Sequence, residues 1–167
     1  MPDDVTFERD TTALLAAEFR RLALASGWGR KSARYKNERQ KFYGLAVAQD
    51  FSAFWGSTES RLTAWQDLCC HLGVDEVPTS IKGCKEVHTL MPNTHVLVAH
   101  PRLASQALRP VHVNLIDLVD SKRQNTKPKT FATETACANY TRRTGKIFPK
   151  ARAKANPLLR QFLVVVF

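Results

Sequence analysis

Long apolar runs are missing from this sequence. The longest, Phe162–Phe167, has six residues, whereas a membrane-spanning helix needs about 18. The N-terminal segment is acidic and has none of the apolar stretch that marks a secretory signal. These absences favour an intracellular protein, nuclear or cytoplasmic, that has no membrane among its partners.

Cysteine is scarce as well, with four residues in 167. Because Cys69 and Cys70 are adjacent, they cannot easily both serve a disulfide framework, and we expect four reduced, mostly buried thiols. A zinc site is the alternative interpretation, and its ligands would be Cys69 or Cys70, His71, Cys84 and His88. No C-x-x-C or H-x-x-x-H pair occurs, whereas structural zinc sites usually have paired ligands. We therefore predict no metal ligands and no cofactor.

Signature motifs of common enzyme classes are missing too. Neither G-x-S-x-G nor H-E-x-x-H occurs. The segment Gly27–Ser32 superficially resembles a phosphate-binding loop, but it lacks the G-x-x-x-x-G-K spacing and a preceding strand, so its amides could not wrap a phosphate. We predict a protein that is not an enzyme and has no catalytic residues. A small enzyme of unknown reaction ranks third among our functional hypotheses.

One group of titratable residues, His112, Asp117 and Asp120, could in principle hold a metal or act as acid and base. His112 and Asp120 are eight residues apart, which places them roughly on one face if the segment is helical. A capped or salt-bridged helix is the better interpretation, since Asp120 is soon followed by Lys122 and Arg123. We therefore assign no chemistry to this group.

Acidic residues are few, at 15 against 25 Lys and Arg, and the net charge is +10. The first basic strip, Arg20–Lys41, contains eight basic residues and one acid, and the second basic strip, Lys122–Arg160, contains eleven and one. Such segregation causes self-repulsion in the folded protein unless a polyanion relieves it. Nucleic acid is the commonest polyanion, and it binds Lys and Arg by releasing counterions.

The leading functional hypothesis is therefore non-enzymatic nucleic-acid binding through basic helical faces, with DNA and RNA not distinguished. The predicted contact residues are Arg30, Lys31, Arg34, Lys36, Arg39, Lys41, Arg142, Arg143, Lys146, Lys150, Arg152 and Lys154. The alternative is a protein–protein interaction module in which an acidic partner, or the acidic N-terminus of the chain itself, covers the basic face. A solvated basic face without a dedicated partner is a further interpretation.

Aromatic residues accompany the cations and could stack on bases. They are Tyr35, Phe42, Tyr43 and Tyr140. Their helical spacing from apolar residues such as Leu45 instead predicts that they belong to the core.

Glycine residues divide the first half of the chain into helices. Three helices are predicted, over residues 10–26 with Asp10 or Thr11 as the N-cap, over 32–55 with Ser32, and over 57–72 with Ser57 or Thr58. Each is followed by a glycine that can adopt the positive φ of a helix end. The inward residues would be Tyr35, Phe42, Leu45, Ala46, Phe51 and Phe54 in the second helix and Leu62, Trp65, Leu68 and Cys69 in the third.

The second half is less regular. A short helix follows Pro78 and runs through Val87, and the irregular residues 89–110 favour a loop over a strand. Residues 111–120 fit a helix or a strand, and we favour the helix. After a polar linker at 121–130, a helix over 133–144 would turn Ala136, Cys137 and Tyr140 inward and end at Gly145. A last helix over 158–167 has an edge strand at 162–167 as its alternative.

This pattern of helices separated by glycine residues and polar segments predicts an all-α fold. We expect a single-domain helical bundle of five to seven helices, assumed to be a monomer. We expect residues 1–9 to form an acidic, flexible N-terminal segment. Residues 10–167 would then form the helical domain, with an irregular insertion at about 89–110.

Several blocks of the sequence resemble a family of short, uncharacterised proteins from filamentous fungi. The blocks are Phe19–Ala23 with Ser26–Trp28, Leu62–Cys69, Val111–Asp120 (VHVNLIDLVD) and Tyr140–Pro149 (YTRRTGKIFP). The resemblance covers nearly the whole chain, and the last two blocks are its most specific part. It implies a cytosolic or nuclear eukaryotic protein, and it implies no activity.

Members of that family pass almost directly from the helix at Ile81–Val87 into the V-H-V-N block, whereas about 22 residues intervene here. Val87-His88 before this segment is also echoed by Val111-His112 after it. We therefore interpret Thr89–Pro110, within a residue or two, as an insertion or a retained intron, and we expect no chemistry from His88, His95 and His100. Sequencing of the transcript tests this, since a spliced message that encodes the segment would refute it.

Overall fold

The computed structural model describes residues 7–58, 60–74, 76–89, 112–154 and 156–160. Within these ranges the chain is mostly helical, so the predicted all-α class is confirmed. The helices are α1 (Leu15–Ala25), α2 (Ala33–Trp55), α3 (Leu62–His71), α4 (Ile81–Thr89), α5 (Leu115–Arg123), α6 (Glu134–Thr144), α7 (Lys150–Ala153) and α8 (Pro157–Arg160). The strands β1 (His112–Val113) and β2 (Thr130–Phe131) form a small antiparallel sheet. None of the described helices is long and apolar enough to span a membrane.

Two sequence predictions fall outside the described residues. They are the loop and insertion at 89–110, of which only Thr89 is described, and the helix or strand at 162–167. Both stay predictions.

The long helix α2 is the central element, and it contacts α1, α3, α5 and α7. Ser32 caps it as predicted, since its Oγ accepts a hydrogen bond from the Tyr35 amide at 3.1 Å. The predicted inner face is partly wrong, because Leu45 is 47% exposed and Phe54 is 37% exposed. Tyr35, Ala46 and Phe51 are buried as predicted, and Tyr43, Val47 and Trp55, at spacings of four residues around Phe51, complete the buried stripe.

The beginning of α1 corrects the predicted caps. The helix starts at Leu15, and the Leu14 side chain at the N-cap position makes no cap hydrogen bond. The amide of Leu15 donates instead to Oδ1 of Asp120 at 2.8 Å, from 105 residues along the chain. Asp10 accepts from the amide and hydroxyl of Thr12 at 2.8 and 2.6 Å, and this holds it in a local turn before the helix. Gly27 ends the helix at φ +66°, as predicted.

The helices α3 and α4 form a small layer beside α2. The former begins at Leu62 and not at the predicted Ser57 or Thr58, and no side chain caps it. Its buried residues include Trp65, Leu68 and Cys69, as predicted. Cys69 and Cys84 are buried free thiols, and burial raises the pKa of Cys69 to about 12.

Residues 112–123 contain both structures that the sequence allowed. The helix prediction is right from Leu115 onward, but His112–Val113 form β1, which pairs with β2 where the predicted polar linker ends, at Thr130–Phe131. Asn114 makes the transition, because its Oδ1 accepts from the amides of Ile116 at 3.0 Å and Asp117 at 3.4 Å. Its Nδ2 donates to Oγ1 of Thr141 at 2.8 Å, which connects α5 to α6.

The helix α6 follows the prediction closely at both ends. Thr133 accepts from the Ala136 amide at 3.1 Å, and Gly145 closes the helix at φ +66°. Cys137 is buried as predicted, but Ala136 is exposed and Tyr140 is only half-buried. Residues 138 and 141 complete the buried face instead, and the strands β1 and β2 are the elements that pack against α6.

A buried ion cluster fixes the N-terminal residues to the bundle. Arg9 donates to both carboxylate oxygens of Asp50 on α2, at 3.0 and 2.8 Å. Arg123 of α5, whose side chain is 2% exposed, pairs with the same carboxylate and donates to the carbonyl of Ala13 at 2.8 Å. Residues 1–9 are predicted to be flexible. Residues 1–6 lie outside the residues that the structure describes, whereas Arg9 is held by this cluster.

Candidate nucleic-acid interface

The two basic strips meet where α7 and the loop before it cross α2. Gly44 allows the close approach, since a Cβ atom there would lie 2.9 Å from Cγ of Pro149 and 3.1 Å from Cγ of Arg152. The guanidinium of Arg39 lies directly against Gly145, at the end of α6. Residues more than 100 positions apart in the chain are therefore neighbours on the surface.

An open groove of about 560 Å³ runs between α2 and α7. Three cations line this α2–α7 groove, Arg34 and Lys41 from the first basic strip and Arg152 from the second. The only carboxylate among the groove-lining residues is Glu38, whose Oε1 lies 2.7 Å from Nζ of Lys41. The groove therefore has a surplus of positive charge and is accessible to an anionic partner.

Most of the predicted contact residues are exposed. The exposed ones are Arg30, Lys31, Arg34, Lys36, Lys41, Arg142, Arg143, Lys150, Arg152 and Lys154. They do not all face the groove. Lys36 is two residues from Arg34, which turns it about 200° around α2 and away from the groove.

Two of the predicted contact residues are engaged inside the protein. Nζ of Lys146 forms an ion pair with Asp117 and lies 3.4 Å from Oη of Tyr140. Burial is the largest single influence and works against its charge, but the hydrogen bonds and charge attraction of Asp117 and Tyr140 together outweigh it and raise the pKa of Lys146. Arg39 is half-buried, and its guanidinium carbon lies 5.9 Å from the Tyr35 ring centroid. Lys146 is therefore withdrawn as a phosphate contact, because its charge is already neutralised.

Of the four aromatic residues near the cations, Tyr35 and Tyr43 belong to the core as their spacing predicts, and Phe42 is partly buried against it. Tyr35 and Tyr43 are buried, and the ring of Phe19 lies 4.9 Å from that of Tyr35 and 5.6 Å from that of Phe42. Tyr140 is half-buried, with Nζ of Lys129 4.6 Å from its ring centroid. The lining of the groove contains no aromatic residue, so it has no surface on which bases could stack.

The histidine and cysteine residues around α3 are the ligands that the alternative zinc interpretation requires. In the described ranges, no group of three His, Cys, Asp or Glu residues is placed to hold a metal ion. His71 Nε2 lies 2.8 Å from Oγ of Ser121, and that hydroxyl donates to the carbonyl of Leu118 at 2.8 Å. Burial and the charge of Lys122 lower the pKa of His71, so this histidine favours its neutral form. The pair serves as a link between α3 and α5.

Comparisons with protein-family models, with curated proteins and with solved structures gave no match. The class of molecule is therefore defined by the fold and the groove alone: an all-α domain with a cationic groove on its long helix.

Proposed function

We propose that this chain is a non-enzymatic nucleic-acid-binding protein that contacts the phosphate backbone through the α2–α7 groove. The observation that carries the proposal is the convergence of the two basic strips on a groove with three cations and one carboxylate. A phosphate backbone supplies the repeated negative charge that such a surface attracts. Binding is further favoured because the cations of the protein release counterions from the phosphates.

The spacing of the cations matches a run of phosphates. Arg34 and Lys41 are seven residues apart on α2, which corresponds to about 10.5 Å along the helix axis. Successive phosphates on one strand advance about 3.4 Å, so this distance covers about three of them. Exposed neighbours on α7, such as Lys150 and Lys154, extend the surface. For the salt dependence of binding below, we take the number of phosphates in contact to be about six.

The absence of aromatic residues from the groove lining favours contact with the backbone over readout of bases. A single strand has only about half the axial charge density of a duplex. We therefore expect duplex to bind at least as tightly as a single strand of equal length, with little dependence on sequence.

A salt titration is the primary test. Fluorescence anisotropy with a random 20-base-pair duplex and the matching single strand would be measured at 50 and 200 mM salt. With about six phosphates contacted, affinity should fall roughly a thousandfold over this range. A flat response, or no binding at 50 mM, would refute the proposal.

Charge-removing variants locate the site. Arg34→Gln combined with Arg152→Gln should reduce the slope of log K against log salt by about 1.8, since two contacts are lost. Lys82→Gln is the matched control, because Lys82 is exposed on α4 outside both basic strips. Because Lys82→Gln removes one charge and the groove variant removes two, a slope change in the control of half that in the groove variant would show that only net charge matters.

An acidic protein partner is the competing hypothesis. Replacing Arg142 and Arg143, which are exposed at the end of α6, with Glu distinguishes the two. Loss of oligonucleotide affinity supports nucleic-acid binding. Intact oligonucleotide affinity together with loss of a co-purifying acidic protein would support the interaction module instead.

A further inference from the structure

Two aromatic rings outside the α2–α7 groove lie side by side. Phe131 of β2 and Tyr140 of α6 have ring centroids 5.0 Å apart, with 44° between the ring planes. Both residues are half-buried, so the core encloses neither of them. In this they differ from Tyr35 and Tyr43, which are buried. These two rings, the β2–α6 aromatic pair, are therefore open to a ligand.

An exposed ammonium group lies on the open side of the pair. Nζ of Lys129 is 4.6 Å from the ring centroid of Tyr140 and 5.5 Å from that of Phe131. Because Lys129 is exposed and its side chain is flexible, the ring faces below its ammonium group are reached from solvent. A contact between an ammonium group and a ring is weak at an exposed site. A flat aromatic ligand can therefore replace the ammonium group on the rings and leave it free to pair with an anion.

The surroundings of the aromatic pair are cationic. Lys127 is exposed two residues before Lys129, and Arg142 and Arg143 are exposed on α6 just after Tyr140. These side chains offer positive charge on both sides of the rings in the chain. A ligand that combines an aromatic group with negative charge fits such a surface, and a nucleotide within a strand has both.

Two aspartates near Tyr140 do not offset these cations. Asp117 and Asp120 line the cleft beside Tyr140. Asp117 is paired with Lys146, and Asp120 is buried and accepts a hydrogen bond from the amide that begins α1. Both carboxylates are therefore engaged inside the protein, and the exposed charge beside the rings is positive.

Helix α6 connects the aromatic pair to α2. Gly145, at the C-terminal end of α6, lies against the guanidinium of Arg39 on α2. Tyr140 is five residues earlier, which corresponds to about 7.5 Å along the helix axis. Arg142 and Arg143 lie between these two points. A nucleic-acid strand that leaves α2 at this end thus has cations to contact on its way to the rings.

We propose that the β2–α6 aromatic pair binds an unpaired nucleobase, which stacks on Phe131 and Tyr140 while Lys127 and Lys129 contact the flanking phosphates. Every base has a π face, so stacking of this kind tolerates different sequences. The inference rests on the proposed function, because the backbone bound in the α2–α7 groove brings the base to the rings. It names a preferred substrate class, a duplex that continues into a single-stranded tail.

Tailed duplexes test the proposal by fluorescence anisotropy at 50 mM salt. A 20-base-pair duplex would carry a tail of six deoxyadenosines or a tail of six abasic nucleotides, so the two tails have equal charge and differ only in their bases. Six nucleotides span about 20 Å, which exceeds the distance along α6 from Gly145 to Tyr140. The tail with bases should bind about fivefold tighter. This is the lower end of the contribution of one stacked base, as expected for rings that are half-buried.

Variants then locate the base. Phe131→Leu and Tyr140→Leu each remove a ring and keep an apolar side chain, and each should reduce the fivefold gain to less than twofold. Tyr140→Phe, the conservative variant, should restore most of the gain because the ring is present. Phe54→Leu is the matched control, since Phe54 is 37% exposed on α2 and does not line the groove. Thermal unfolding shows whether each variant folds, and Phe131→Leu decides the test if Tyr140→Leu does not.

The outcomes separate this inference from the proposed function. Equal binding of the two tails by the unaltered protein overturns the inference, as does a gain that survives in Phe131→Leu. Salt-sensitive binding of a blunt duplex without a gain from the bases of the tail refutes this inference alone. Absence of binding by blunt and tailed duplexes at 50 mM salt refutes the proposed function as well.

Discussion

The ion cluster at Asp50 makes the sharpest prediction for stability. Replacing Asp50 with Ala removes the carboxylate that both Arg9 and Arg123 contact. The two arginines differ in exposure, with the side chain of Arg9 at 19% and that of Arg123 at 2%. The variant therefore leaves Arg123 as a buried guanidinium with no acidic partner in the cluster, while Arg9 can turn toward water.

The cost follows from that difference. Breaking a buried pair by removing one partner typically costs about 3–5 kcal/mol. The carbonyl of Ala13, which accepts from Arg123 at 2.8 Å, compensates for part of this, so we expect about 3 kcal/mol. Arg9→Ala is the matched control, because Asp50 retains Arg123, and it should cost about 1 kcal/mol.

Urea unfolding followed by tryptophan fluorescence measures both variants. A loss of about 3 kcal/mol is a large fraction of the 5–15 kcal/mol that stabilises a typical domain. A double variant, Asp50→Leu with Arg123→Met, should recover most of the loss, because well-packed apolar residues often replace a buried pair at no cost. If Asp50→Ala costs no more than Arg9→Ala, the reasoning about the buried guanidinium is wrong.

The remaining predictions concern packing, capping and pH. Gly44→Ala brings a Cβ atom to 2.9 Å from Pro149 and should destabilise by about 1–3 kcal/mol in urea unfolding, whereas Gly29→Ala meets no atom within 4 Å and should be nearly neutral. Asp120→Ala removes the cap of α1 and should cost about 1 kcal/mol, while Asp120→Asn keeps an acceptor and most of the stability. Burial lowers the pKa of His71 in the folded state below its ordinary value of 6.5. The unfolded chain therefore binds the proton more readily than the folded chain, and the free energy of unfolding should fall as the pH drops below about 6.5. His71→Gln should show a weaker fall between pH 7.5 and 5.5, and an unchanged pH dependence would contradict this account.

Local signals in the sequence predicted the start of α2 and both ends of α6, but not the starts of α1 and α3. Ser32, Thr133 and Gly145 cap helix ends through groups that lie within one helical turn of them. The capping residue and the amide or carbonyl that it satisfies are therefore close together in the sequence. The start of α1 could not be predicted in this way, because Asp120 supplies its cap from 105 residues away. The same limit explains why the strand at His112–Val113 is only the second choice from the sequence, since its partner lies across the intervening helix.

The inner face of α2 illustrates a second limit. Leu45 and Phe54 are apolar and sit one residue away from buried positions, so the pattern alone allowed either stripe. The side on which α5 and α7 pack decides between them, and that is a property of the assembled fold. For the candidate site, the sequence predicted which residues are cationic. It could not predict that Gly44 would bring Arg152 beside α2, nor that Asp117 would neutralise Lys146.

The location of the ion pairs explains why the α2–α7 groove keeps a surplus of positive charge. Asp50 and Glu18 pair with arginines beside the N-terminal segment, and Asp67 and Asp117 pair with lysines on or near α5. Glu38, which pairs with Lys41, is the one acid of the ion pairs among the described residues that lines the groove. The carboxylates of the bundle thus neutralise cations that serve packing, and the charge surplus is left where α2 meets α7.

An acidic N-terminus folded over this groove would have to come from residues 1–6, since the segment from Phe7 onward is held against α1, α2 and α5. Removing residues 1–6 should therefore leave oligonucleotide affinity unchanged if an external polyanion is the partner, and should raise it if that segment shields the groove.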